Sequence, residues 1–313
     1  MYLDFFGLDK PPFRITPDTH AFFEGADRGA LLNALCYAIS HGEGIVKVVG
    51  EVGSGKTMLC RMLPLKLNEH IDWVYLAHPS LSPEHTLHAI AHEMGLSVAE
   101  HADKLSVMRL LHETLLLRHT NNRQVVVLVE EAQGMPLETL EEIRLLSNLE
   151  TDDHKLLQII LFGQPELDEK LATPSIRQLR ERITYSLYLS PLNLPDIQKY
   201  LNFRLRAVGY TGPDLFSYKV ARAIADYSHG LVRRINIIAD KTLLFAYTQD
   251  RHNLFVNDIR QVAKDSNFKS SKSFLPWLVA ASFTAFLIVG TFYMYAGFNN
   301  FSDNKSSAVE LAK

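Results

Sequence analysis

The apolar positions along this chain fall into two rhythms. Short runs rich in β-branched and aromatic residues recur at 45–49, 71–77, 125–129, 156–162 and 185–189. Such runs read as strands, and an unbroken run such as VVVLV reads as a strand buried on both faces. Between them lie stretches with helical spacing, among them MLCRMLPLKL (58–67) and RRINIIADKTLLFAYT (233–248). Strands alternating with helices predict a parallel sheet covered by helices, an α/β architecture. Pro191 and Pro195, in SPLNLPDIQKYL (190–201), mark the end of the sheet-bearing part.

A third pattern lies near the C-terminus. Between Lys272 and Asp303 there is no Asp, Glu, Lys, Arg or His. Residues 275–297 read LPWLVAASFTAFLIVGTFYMYAG. As a helix this segment spans roughly 34 Å, against a hydrocarbon core of about 30 Å. Trp277 near one end and Tyr293 and Tyr295 near the other fit interfacial belts. The segment therefore reads as one transmembrane helix. Arg260, Lys264, Lys269 and Lys272 precede it closely, whereas only Lys305 and Lys313 follow. That asymmetry places the preceding chain in the cytoplasm and a short tail, 298–313, in the periplasm. Residues 1–12 carry acidic residues and no long apolar stretch, unlike a cleavable signal peptide.

The first strand run leads into GEVGSGKT, residues 50–57, which fits the phosphate-binding loop pattern G-x-x-x-x-G-K-[ST]. The chemistry needs these residue types. Gly50, Gly53 and Gly55 let the backbone wrap closely, so that the N–H groups from Glu51, Val52 and Ser54 onward face phosphate oxygens. A helix starting near Gly55 adds partial positive charge. Lys56 is placed to reach the β- and γ-phosphates of ATP, and the Thr57 hydroxyl to bind Mg²⁺.

The strand run at 125–129 ends in Glu130-Glu131. In a parallel sheet that end lies beside the phosphate loop. Glu130 would hold Mg²⁺, and Glu131 would orient and deprotonate the attacking water. The usual metal-side residue is Asp, so Glu130 bears on the hydrolysis rate more than on nucleotide binding. Gln164 follows the run at 156–162 and is a candidate sensor of the γ-phosphate, with turn capping before Pro165 as its other reading. Arg177, Arg180 and Arg182 precede the last strand run, where an arginine could reach a neighbouring subunit's phosphate. Arg233-Arg234 opens a late helical segment, from which one arginine could reach the phosphates.

The composition narrows this reading without redirecting it. The chain has 313 residues, 47% hydrophobic and 21% charged, as in an ordinary folded protein of about two domains. A net charge of -3 offers no basic field for nucleic acid, and no nucleic-acid partner is expected. Cys36 and Cys60 are too few for a disulfide framework. His85, His88 and His92 lack a third ligand at metal spacing and read as a solvated helix face. Phe5, Phe6, Phe13, Phe22 and Phe23 read as packing residues, with one of them available to touch adenine.

Several stretches carry a family resemblance: YLDFFGLDKPPFRITPD (2–18), FFEGADRGALLNALCYAI (22–39), GEVGSGKT, LVEEAQ (128–133), LFGQPEL (161–167), LRERI (179–183) and GLVRRIN (230–236). Together they resemble the AAA+ ATPases, specifically the ExeA/GspA group of secretion and pilus-assembly ATPases, over about residues 1–265. The resemblance implies a three-layer α/β/α ATPase domain at 1–190 and a helical lid at 191–268. It implies ATP and Mg²⁺ as ligands. It assigns Glu131 as the catalytic acid, Gln164 as the sensor after the fourth strand, Arg182 as the arginine finger and Arg233 as the lid sensor. A homo-oligomer is expected, working with inner-membrane proteins that assemble an MSHA-type type IV pilus or a type II secretion-like machine. The rival readings are an ATP-binding scaffold with weak hydrolysis and a DNA-transposition or replication ATPase on the same core.

Overall fold

The computed structural model describes residues 2–270 apart from 43, 68, 78 and 100. The uncharged segment 275–297 and the tail 298–313 lie outside the described residues. Among the described residues, no helix is long and apolar enough to cross a membrane.

The chain runs α1 (Tyr2–Phe6), α2 (Arg28–Ser40), β1 (Ile45–Gly50), α3 (Lys56–Lys66), β2 (Ile71–Leu76), α4 (Pro83–Glu93), α5 (Lys104–Thr120) and β3 (Gln124–Val129). It continues with α6 (Leu137–Leu146), β4 (Leu157–Gly163), α7 (Pro165–Leu171), α8 (Arg177–Glu181) and β5 (Ile183–Leu189). Four longer helices close it: α9 (Leu194–Arg206), α10 (Tyr218–Ser228), α11 (Val232–Thr248) and α12 (Val256–Asp265). The strands form one sheet in the order β2-β3-β4-β1-β5, and every pairing is parallel.

The period-2 alternation of a strand explains the layers. Val125, Val127 and Val129 point to one face, where α4, α5 and α6 pack through Leu87, Leu111, Leu115 and Leu140. Val126 and Leu128 point to the other, against Leu35 and Ile39 of α2 and Leu59 and Leu63 of α3. Both faces of β3 are therefore dry, as its unbroken apolar run requires. β1 lies between β4 and β5 and is buried along its whole length.

Helices α9–α12 form a second core around Ile197, Leu201, Ile224, Ile235 and Ile259. Asn193 caps α9 by accepting from the Asp196 N–H at 2.9 Å, just after β5 ends. The N-terminal segment packs into this second core rather than against the sheet. Phe6, Leu8 and Phe13 lie inside it, and Phe13 meets Phe216 edge-to-face. Polar stitches hold the segment there: Tyr2 Oη donates to Asp240 at 2.7 Å, and Arg204 Nε to the Pro12 carbonyl at 2.8 Å.

Candidate nucleotide-binding site

The loop between β1 and α3 leaves the sheet from the C-terminal end of β1, between β4 and β5. Gly53 and Gly55 hold φ of +78° and +113°, a region that L side chains resist. A Cβ on Gly50 would come within 2.7 Å of Ser54 Oγ. Gly55 is the N-cap of α3, and its carbonyl accepts from Met58 N at 3.0 Å. The loop thus delivers the helix start, with its unpaired N–H groups, to the C-terminal edge of the sheet.

The cavity there has a volume of about 220 Å³. Val52, Gly53, Ser54, Gly55, Lys56 and Thr57 form part of its wall. Its lining residues include five cations, Arg14, Arg28, Lys56, Arg204 and Arg233, and one carboxylate, Glu131. That imbalance suits an anion. Lys56 is 6% exposed and donates to the carbonyls of Gly50 at 2.7 Å and Glu51 at 3.2 Å. Burial lowers its pKa, and nearby carboxylates, Glu131 first, oppose the drop.

Thr57 Oγ1 donates to Glu130 Oε2 at 2.8 Å. This contact joins the first turn of α3 to the end of β3 and presents one hydroxyl and one carboxylate side by side. Glu131 follows in left-handed backbone, with φ of 54°. Its Oε2 accepts from Gln164 Nε2 and from Gln133 Nε2, each at 2.6 Å. Burial pushes this carboxyl upward. The two amide donors, with Lys56 and Arg233, outweigh that and hold its pKa below the ordinary value. Gln164 is the N-cap of α7, yet its side chain makes no capping bond and turns to Glu131 instead.

Arg233 comes from the first turn of α11. Its N–H donates to the Gly53 carbonyl at 3.0 Å, so α11 touches the phosphate loop directly. Arg182 sits elsewhere. The register pairs Ile45 with Ile183 and Gly50 with Leu189, which puts Arg182 at the opposite end of the sheet. Its positive charge contributes to the lowered pKa of Glu150, whose main partner is Lys155. Arg177 is ion-paired with Glu181 at 2.8 Å. The structure therefore gathers Lys56, Thr57, Glu130, Glu131, Gln164 and Arg233, and leaves Arg182 outside the cavity.

Two contributors escaped the sequence reading. Gln133 lies two residues beyond Glu131, and only its polar place in LVEEAQ marked it. Arg28 is 5% exposed and donates to the carbonyls of Ser54 at 3.2 Å and Ser190 at 3.5 Å. No spacing rule announces it. Phe22 and Phe23 line the cavity, whereas Phe6 and Phe13 belong to the helical core.

The residues fit a nucleotide with its metal. Ser54 Oγ is buried in the loop without a hydrogen-bond partner, and the Lys56 ammonium has only loop carbonyls. Thr57 and Glu130 form a hard oxygen pair suited to Mg²⁺.

A parallel sheet in this order, with the glycine-rich loop after β1, defines a P-loop α/β fold of the AAA type. Residues 39–171 match the AAA domain family. Over 312 residues, 99% of its length, the chain is 35% identical to general secretion pathway protein A of Aeromonas hydrophila. It spans 57% of that protein. The match supports the ExeA/GspA resemblance. Among solved structures it is similar to the ORC2 protein of Aeropyrum pernix, with a TM-score of 0.59 and 17% identity over 80% of this chain and 72% of that one. It is also similar to Cdc6p from Pyrobaculum aerophilum, with a TM-score of 0.60 and 16% identity over 79% and 71%. At such identities these structures speak for the fold alone.

Proposed function

We propose that this chain is an ATPase of the ExeA/GspA group that binds ATP with Mg²⁺ and hydrolyses it. The observation that carries the reading is the meeting of Lys56, Thr57–Glu130 and Glu131 at the C-terminal edge of one parallel sheet. The loop N–H groups and Lys56 would hold the phosphates, and Thr57 and Glu130 the Mg²⁺. When bound, the metal neutralises phosphate charge. Glu131 accepts the proton of the attacking water, with its carboxylate aimed by amide donors. Arg233 reads the phosphates from the lid, and Arg182 acts on the site of a neighbouring copy in a homo-oligomer.

The ATPase part, 1–190, and the lid, 191–268, work on the cytoplasmic side of the inner membrane, anchored through 275–297 with the tail periplasmic. The chain drives or regulates an assembly machine of the MSHA pilus or type II secretion kind. Its motif set is similar to that of the MSHA pilus biogenesis protein MshM.

Steady-state phosphate release by the full chain tests the activity. Lys56→Ala is expected to abolish turnover, and Glu131→Gln to lower it about 100-fold or more. Wild type that releases no more phosphate than Lys56→Ala, while still binding ATP, would make the chain a nucleotide-controlled scaffold instead.

A further inference from the structure

Gln133 occupies a short turn, Ala132–Gly134, directly after Glu131. Both ends of its side-chain amide are engaged. The NH₂ group donates to Glu131 Oε2 at 2.6 Å, and the oxygen accepts from the Gln164 backbone N–H at 3.0 Å. Gln164 closes the ring by donating its own side-chain amide to the same Glu131 oxygen at 2.6 Å. The turn itself is gripped from α7. Lys170 Nζ donates to the carbonyls of Gln133 at 2.7 Å and Met135 at 2.6 Å.

This ring has a consequence for the chemistry. Two donors converge on Oε2, so the carboxylate cannot rotate freely, and Oε1 is the oxygen left to accept from water. Glu131 also sits in left-handed backbone, φ 54° and ψ 40°. A non-glycine residue is strained there and persists where its surroundings over-determine it. The ring and the Lys170 grip supply that determination.

We infer that Gln133 is a positioning residue for hydrolysis: it fixes the Glu131 carboxylate and ties its orientation to the end of β4. The inference rests on the ATPase reading above. It assigns Gln133 no contact with nucleotide, since Gln133 does not line the cavity. A change at the end of β4 moves the Gln164 N–H, and Gln133 passes that movement to Glu131.

The test uses the full chain and two variants, Gln133→Ala and Gln133→Glu. Phosphate release is measured across ATP concentration, beside ADP affinity and thermal melting. Gln133→Ala is expected to lower kcat about 10- to 100-fold, the scale of a misaligned reacting group. KM, ADP affinity and Tm should stay near wild type. Gln133→Glu keeps the length but cannot donate and repels Glu131, so its kcat should fall at least as far. Wild-type kcat in either variant overturns the inference. So does a parallel loss of kcat, ADP affinity and Tm, which would mean a merely structural turn. Wild type that turns over no faster than Lys56→Ala sinks the ATPase reading and this inference together, an outcome distinct from a wild type that turns over with Gln133→Ala matching it.

Discussion

Gly53 is the point where α11 meets the phosphate loop, and adding one methyl group there separates two energetic terms. An alanine would hold a φ of +78°, which costs about 1–2 kcal/mol for an L residue. Its Cβ would also stand 2.7 Å from Arg233 Cβ. Carbon pairs rest at about 3.5 Å or more, so the lid helix must retreat by ~0.8 Å or the loop must bend. Neither atom is the far end of a flexible side chain. Overpacking of this kind adds roughly 1–3 kcal/mol. Gly95 is the internal control. It has φ of +75°, and nothing lies within 4 Å of an added Cβ. Gly95→Ala should therefore lose only the backbone term and bind ADP as wild type does. Gly53→Ala should lose both terms, and weaken ADP binding at least 10-fold because the Gly53 carbonyl–Arg233 N–H contact at 3.0 Å is broken. Urea melts and ADP titrations of both variants provide the comparison. Equal stabilities and equal ADP affinities for the two would refute the reasoning, because they would mean the lid does not press on the loop.

Arg182 lies at the far end of β5 from the phosphate loop, so an arginine finger there must act in trans; mixing inactive Arg182→Ala with inactive Lys56→Ala should restore part of the turnover, and a mixture as inactive as its parts would remove the finger assignment. Asp72 on β2 accepts from Arg123 Nε at 3.0 Å and pairs with Arg118 at 3.1 Å. The Arg123 hydrogen bond holds its pKa below the ordinary value, so this stabilisation is complete above the unfolded pKa of about 3.9 and is lost as pH falls through the folded one. Asp72→Asn should cost up to about 1 kcal/mol at pH 7, screened by solvent, and the deficit in urea melts should shrink towards pH 3; an undiminished deficit there would rule out the charge as its source.

The sheet was legible because its inner strands, β1, β3 and β4, are buried on both faces. A run such as VVVLV has few other homes in a water-soluble core. The loop was legible because phosphate binding demands glycines, Lys56 and Thr57 at adjacent positions of one segment. What stayed hidden was long-range. Lys47 interrupts the run IVKVV, and the residue that accommodates it, Asp168 on α7, is 121 positions away. The aromatic start of the chain gives no sign that it belongs to the C-terminal helices, since Phe13 and Phe216 meet only in the fold. Gln133 and Arg28 were invisible for a related reason. Their partners are a carboxylate oriented by two amides and a set of backbone carbonyls, and neither arrangement leaves a spacing in the sequence.

These same hidden contacts determine which part of the molecule responds first to a change in the loop. On the sheet side the loop grows from β1, which is buried between two neighbours and has little freedom to shift. On the lid side it is held by single polar contacts. Arg233 N–H meets the Gly53 carbonyl, while from the sheet-packed α2 Arg28 spans from the Ser54 carbonyl to the Ser190 carbonyl, where β5 gives way to the connection into α9. A few hydrogen bonds, each worth about 1 kcal/mol net, yield before a fully packed strand does. Phosphates drawn into the loop compete for Lys56, whose partners are the Gly50 and Glu51 carbonyls. The loop's exits from that competition are its contacts at Gly53 and Ser54, which lead to α11 and to the connection between β5 and α9.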